Sequence, residues 1–286
     1  MTKLLMPVPG QSGVARDHDA LSRDPRYAHF IRIPDRICRC LDYFEVGCDR
    51  IAVKERLHSY YLFIGVVDEV LDSTRLEAGR EILNQLAGRD LSLDSAANQS
   101  HPWVVTEVLR GHIEEEVYSQ VQLNLEELYQ AVIRERSART LARHIEERRI
   151  VGRLTADLSY LLIHPLLARG REDLRAFLRD VGEVGCLVDS CIDLRADYRL
   201  GLLGFAPTRK NHLQLICITL RSGMKISFRH PRLVGLFLEA IGDICLDQLR
   251  SITATSAVTA SEQAETHIAV AVAAPETLSS VAWTKP

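Results

Sequence analysis

From Val104 to Arg134 the chain reads VVTEVLRGHIEEEVYSQVQLNLEELYQAVIR. Its apolar positions Val104, Val105, Val108, Leu109, Ile113, Val117, Val121, Leu125, Leu128 and Val132 recur at steps of three and four. That period lays them along one side of an α-helix. Pro102 suits the first turn, where its missing amide hydrogen costs nothing. The stretch therefore predicts one long amphipathic helix over 104–134. Outward from it, Leu, Arg, Glu and Ala stay abundant, and no segment alternates apolar and polar residues for long. Further helices are expected at about 37–48, 51–72, 77–88, 138–162, 172–200, 210–222 and 231–249, the second long one closing near Pro165. The fold class is all-α. No linker divides residues 26–250, so a single helical domain is expected there. Residues 1–25 read as a loose leader. After Arg250 an Ala-, Ser-, Thr- and Val-rich composition reads as a flexible tail over 251–286. Within it, His267 to Val272 has strand character but no neighbour to pair with.

A 286-residue chain with 47% hydrophobic and 26% charged residues falls in the globular range, which favours neither disorder nor a membrane protein. Its net charge of −3 implies no general attraction to nucleic acid or anionic lipid. No apolar run spans a bilayer, and Leu4-Leu5-Met6 is cut short by Pro7, Pro9 and Gly10. A cytoplasmic protein without an integral membrane segment is expected. The seven cysteines, Cys38, Cys40, Cys48, Cys186, Cys191, Cys217 and Cys245, include no CxxC pair and read as reduced, buried thiols.

Two acidic clusters carry the chemistry. Asp68 and Asp72 follow the apolar run Tyr61 to Val67, four residues apart and therefore on one helical face. Asp189, Asp193 and Asp197 form a second stripe after Gly185-Cys186-Leu187-Val188. Like charges at this spacing weaken a helix by a few tenths of a kcal/mol per pair, which invites a compensating cation. Carboxylates without His or Cys suit hard Mg²⁺, commonly completed by water and substrate phosphate. Each pair taken singly is ordinarily a solvated face or half of a salt bridge, for which Arg195 and Arg199 are available. Two such clusters, each behind an apolar run, favour a shared cation site.

Val67-Asp68-Glu69-Val70-Leu71-Asp72 resembles a reduced first Asp-rich motif of the class I isoprenoid synthases. The segment Leu187 to Asp197, continuing to Gly201 and Phe205, is similar to the second motif of the bacterial tetraprenyl-β-curcumene synthase-like branch. The resemblance implies a helical bundle with a central apolar cavity and Mg²⁺ at its mouth, where a prenyl diphosphate ionises and diphosphate leaves. Asp68, Asp72, Asp189 and Asp193 would be the catalytic metal ligands, joined by Asp197. The implied activity is a terpene synthase, with cyclisation favoured over prenyl transfer because neither motif is a full DDxxD; Glu69 replaces the second Asp. A homodimer is compatible with it. The alternative is a noncatalytic helical binding or pathway subunit on the same scaffold.

A leaving diphosphate also needs fixed positive charge. Arg149 and Arg153 share a face ahead of the apolar stretch Leu158 to Ile163 and are the candidate substrate contacts. Gly65, Gly182 and Gly185 either make room for a ligand or allow close helix packing. Tyr60, Tyr61, Phe63, Trp103, Tyr118 and Tyr160 are candidates to line a cavity, although aromatics make up only 6% of the chain. A di-iron bundle needs two Glu-x-x-His motifs, and only Glu55-Arg56-Leu57-His58 is present.

Overall fold

The structure, a computed structural model, describes residues 11–72, 76–87, 100–236, 238–240 and 242. The chain groups into two units, Met1–Glu239 and Ala240–Pro286. The tail read over 251–286 lies outside the described residues. In the first unit all regular elements among the described residues are helical: α1 (Gln11–Ser22), α2 (Ala28–Tyr43), α3 (Arg50–Asp72), α4 (Leu76–Leu86), α5 (His101–His112), α6 (Glu115–Arg136), α7 (Leu141–Ile163), α8 (Glu172–Arg199) and α9 (Arg209–Arg229). One isolated antiparallel bridge joins Cys48 and Leu167.

Several segments differ from the sequence reading: α2 starts at Ala28 rather than near 37, and α9 continues to Arg229 rather than ending near 222. The leader carries α1, which packs on α5, and its Leu21 is buried with Tyr27 in the core. The single helix expected over 104–134 is two. Ile113 and Glu114 are extended, with φ/ψ of −84°/117° and −76°/148°. Gly111 and His112 are weak helix formers, and the acidic run Glu114-Glu115-Glu116 is better placed at a helix N-terminus, where it meets the positive end of the macrodipole. Arg56 of α3 then holds the break, donating to Glu114 Oε1 at 2.8 Å and to the Leu162 carbonyl at 2.8 Å. Of the helix expected over 231–249, the structure shows a 3₁₀ turn at Pro231–Leu233 and helical residues at 234–236 and 238–240.

Helix α7 is the organising element. Thr140 caps its N-terminus by accepting from the Arg143 amide at 3.3 Å. It runs antiparallel to α3, in a register set by Tyr60 Oη donating to the Thr155 carbonyl at 3.0 Å and by Tyr61 Oη with Ser159 Oγ at 2.9 Å. It also runs antiparallel to α8, crossing it where Gly152 meets Gly182. A Cβ on either glycine would collide with the other's carbonyl oxygen. Close backbone approach is therefore the role of Gly182. Gly65 instead makes room for the rings of Phe30 and Tyr27, whereas Gly185 has nothing within 4 Å. Leu57, Tyr60, Leu62, Leu158, Tyr160 and Leu162 belong to the core almost without exposure.

Candidate functional site

The two antiparallel registers bring both acidic clusters to one end of the bundle. Asp68 and Asp72 end α3, the Asp189 stripe occupies the C-terminal half of α8, and Arg148 of α7 stands between them. Its guanidinium pairs with Asp189 Oδ2, lies 3.5 Å from Glu135 Oε1 on α6, and donates to the Cys186 carbonyl at 3.4 Å. Arg136, at the end of α6, donates to Asp72 Oδ1 at 2.8 Å. The partner of Asp189 is thus a cation from another helix. Arg199 instead donates to the carbonyl of Arg195 on its own helix.

Asp68 is exposed to solvent near the end of α3, within the electrostatic reach of Asp72, Asp189 and Arg148. Loss of hydration pushes its carboxyl up to about 7, reinforced by Asp72 and Asp189 and opposed by Arg148. Asp197, half-buried, is also raised to about 7 by burial, with Asp193, Asp189 and Asp72 adding to the shift and Arg148 opposing it. Asp72 and Glu135 are raised too, burial first, with arginines pulling the other way. Burial works against the charge of Arg148, but Glu135, Asp189 and Asp68 outweigh it and hold the guanidinium firmly protonated. All five aspartates named from the sequence therefore belong to one electrostatic field, and Asp193 enters it through Asp197.

Arg149 and Arg153 are placed differently. Both face Glu183 on α8, Arg153 Nε at 3.3 Å and Arg149 Nε at 3.9 Å, and Arg149 also donates to Ser222 Oγ at 3.2 Å. The arginine among the aspartates is Arg148, one position away and about 100° around the helix. Sequence reasoning missed it, together with Glu135 and Arg136. The signal was the basic series Arg139, Arg143, Arg148, Arg149 and Arg153, whose helical phase only the packing of α7 resolves.

His144 lies one turn before Arg148 and is fully buried, with Nδ1 3.6 Å from Glu135 Oε1. Burial and the nearby Arg148 push its pKa down to about 4, so it is neutral. Phe205, from the loop after α8, packs edge-on against it at 5.9 Å. That loop begins at Gly201, whose φ of +77° ends α8, with the Leu202 amide donating to the Asp197 carbonyl at 2.8 Å.

For Mg²⁺ the donor set has the right chemistry, hard carboxylate oxygens in a field that repels itself. Among the described residues, however, no group of three His, Cys, Asp or Glu side chains stands close enough to hold a metal ion. Mg²⁺ commonly takes only one or two carboxylates and completes its shell with water and phosphate. The residues fit on those terms.

Two open pockets among the described residues lie elsewhere. One, of about 490 Å³, is lined by Arg26, Tyr27, Val66, Glu69, Val70 and Pro102; the other, of about 390 Å³, by Tyr43, Phe44, Arg171, Arg229 and His230. Neither is a central apolar chamber. Tyr60, Tyr61, Phe63 and Tyr160, considered as cavity lining, are packed core, and Tyr118 donates to the Leu86 carbonyl at 2.6 Å. No known protein family matches the chain, and neither does any curated protein or solved structure.

Proposed function

We propose that the protein is a Mg²⁺-dependent enzyme acting on a prenyl diphosphate, of the class I terpene synthase type. The observation that carries this reading is the meeting of Asp68 and Asp72 from α3 with Asp189 and Asp197 from α8 around Arg148. Asp68, Asp72, Asp189 and Asp193, with Asp197, would hold the metal. When bound, Mg²⁺ supplies Lewis-acid neutralisation of the leaving diphosphate. Arg148 and Arg136 supply fixed positive charge at the same end of the bundle, the part first given to Arg149 and Arg153. Glu135 orients Arg148 from α6. Among reactions of this type, cyclisation is favoured over prenyl transfer because neither motif is a full DDxxD.

One observation favours a second reading, a helical binding subunit without turnover. Tyr60, Tyr61, Phe63 and Tyr160, the aromatics considered as cavity lining, are buried in the packed core. The deciding experiment incubates the chain with Mg²⁺ and prenyl diphosphates of ten to thirty-five carbons, measuring released diphosphate and organic products. Turnover that falls about 100-fold or more in Asp68→Asn and Asp189→Asn supports the enzyme. No turnover at any chain length by folded protein leaves the binding subunit.

A further inference from the structure

Helix α9 is apolar on two sides. Leu215, Thr219 and Ile226 are buried beneath it. On the opposite side Leu213 is 63% exposed, Leu220 60%, Met224 54% and Phe228 84%, with the exposed Cys217 among them. Their spacing of three and four residues makes one continuous apolar stripe in water. A single exposed leucine is ordinary, whereas a stripe marks an interaction surface.

Its charge is one-sided. The helix carries Arg209, Lys210, Arg221, Lys225 and Arg229 and no Asp or Glu, in a chain whose net charge is −3. At about 100° per residue, Lys210, Arg221 and Lys225 fall along one border of the stripe. Arg229 is held by Asp180 at 3.2 Å, but Lys210, Arg221 and Lys225 make no ion pair among the described residues.

We propose that α9 is the face by which the folded chain lies on an anionic lipid bilayer. Leu213, Leu220, Met224 and Phe228 enter the acyl boundary while the bordering cations meet headgroup phosphates. Charge selects this occupant. A second copy docked α9 to α9 would set basic borders together with no acidic residue on either helix to answer them. A bilayer offers apolar depth and a plane of negative charge side by side. The net charge of the whole chain does not oppose this, because cations near the surface act within a Debye length. No helix among the described residues is long and apolar enough to cross a membrane, so the association is peripheral. The inference is independent of the diphosphate reading, since none of these side chains belongs to the carboxylate cluster.

The test is co-sedimentation of the full chain with vesicles of phosphatidylcholine alone, or with about one third phosphatidylglycerol, at about 0.1 M and about 0.5 M salt. Binding is expected to the anionic vesicles and to weaken at high salt. Arg221→Gln with Lys225→Gln is expected to lower it about thirtyfold, and Leu220→Ser with Phe228→Ser about tenfold or more. The serine pair is expected to melt within about 2 °C of the parent, because both positions are exposed, which separates lost binding from lost folding. Failure of the folded parent to prefer anionic vesicles, or binding unchanged in both variants, overturns the proposal. So does a parent dimer, seen by light scattering, that the serine pair turns into a monomer.

Discussion

Asp68 and Arg148 are coupled through charge rather than through a direct bond, and each has a measurable consequence. Asp68 ordinarily titrates at 3.8 and is pushed up to about 7 by loss of hydration and by the neighbouring carboxylates Asp72 and Asp189. The folded state therefore holds this proton more tightly than the unfolded state does. Stability from the protonated form is complete below about 4 and is lost as pH rises through about 7. Asp68→Asn is expected to melt above the parent at pH 8 and level with it near pH 4. An equal difference at both pH values would show that the cluster does not strain this carboxylate. Arg148 is the counter-charge, with a side chain 18% exposed. Arg148→Met leaves Glu135 and Asp189 without it and is expected to cost about 3 kcal/mol in denaturant unfolding at pH 8. A loss below about 0.5 kcal/mol would place Arg148 among ordinary surface ion pairs.

At the scale of elements, the α7–α8 crossing aligns the site. Gly152 and Gly182 allow backbone to touch backbone, and this contact sets Arg148 against Cys186 and Asp189 one to two turns further on. Gly152→Ala must push the helices apart and is expected to destabilise by about 2–3 kcal/mol. Gly185, three residues past Gly182 on the same helix, has open space around it. Gly185→Ala is expected to stabilise by about 0.5–1 kcal/mol through helix propensity alone. Equilibrium unfolding of both variants checks the pair, and similar effects from the two would remove the crossing as the cause. Sequence alone left both glycines open to either reading, because a helical glycine shows its neighbours only after packing.

Over the whole of the first unit, α7 ties α3 to α8, so a cation held by aspartates of both helices stabilises the fold rather than one segment. Millimolar Mg²⁺ is expected to raise the melting temperature at pH 8 more than sodium of equal ionic strength does. The Asp68→Asn, Asp189→Asn double variant is expected to lose that difference. A Mg²⁺ effect that survives the double variant would locate the ion elsewhere. Charge is also segregated, with the carboxylate cluster at one end of the bundle and the uncompensated cations on the outer face of α9.

Much of this was legible in the chain. Hydrophobic spacing of three and four is a property of sequence, so the all-helical class and most helix positions followed from it. So did the sharing of one face by Asp68 with Asp72 and by Asp189 with Asp193 and Asp197, which the helical repeat alone dictates. What sequence could not supply was anything that depends on the rotation of one helix against another. The break at Ile113 and Glu114, the filling of the core by Tyr60 and Tyr160, and the choice of Arg148 over Arg149 and Arg153 all arose there. One residue along a helix is about 100° of rotation, and only contacts such as Gly152 on Gly182 select which arginine turns inward.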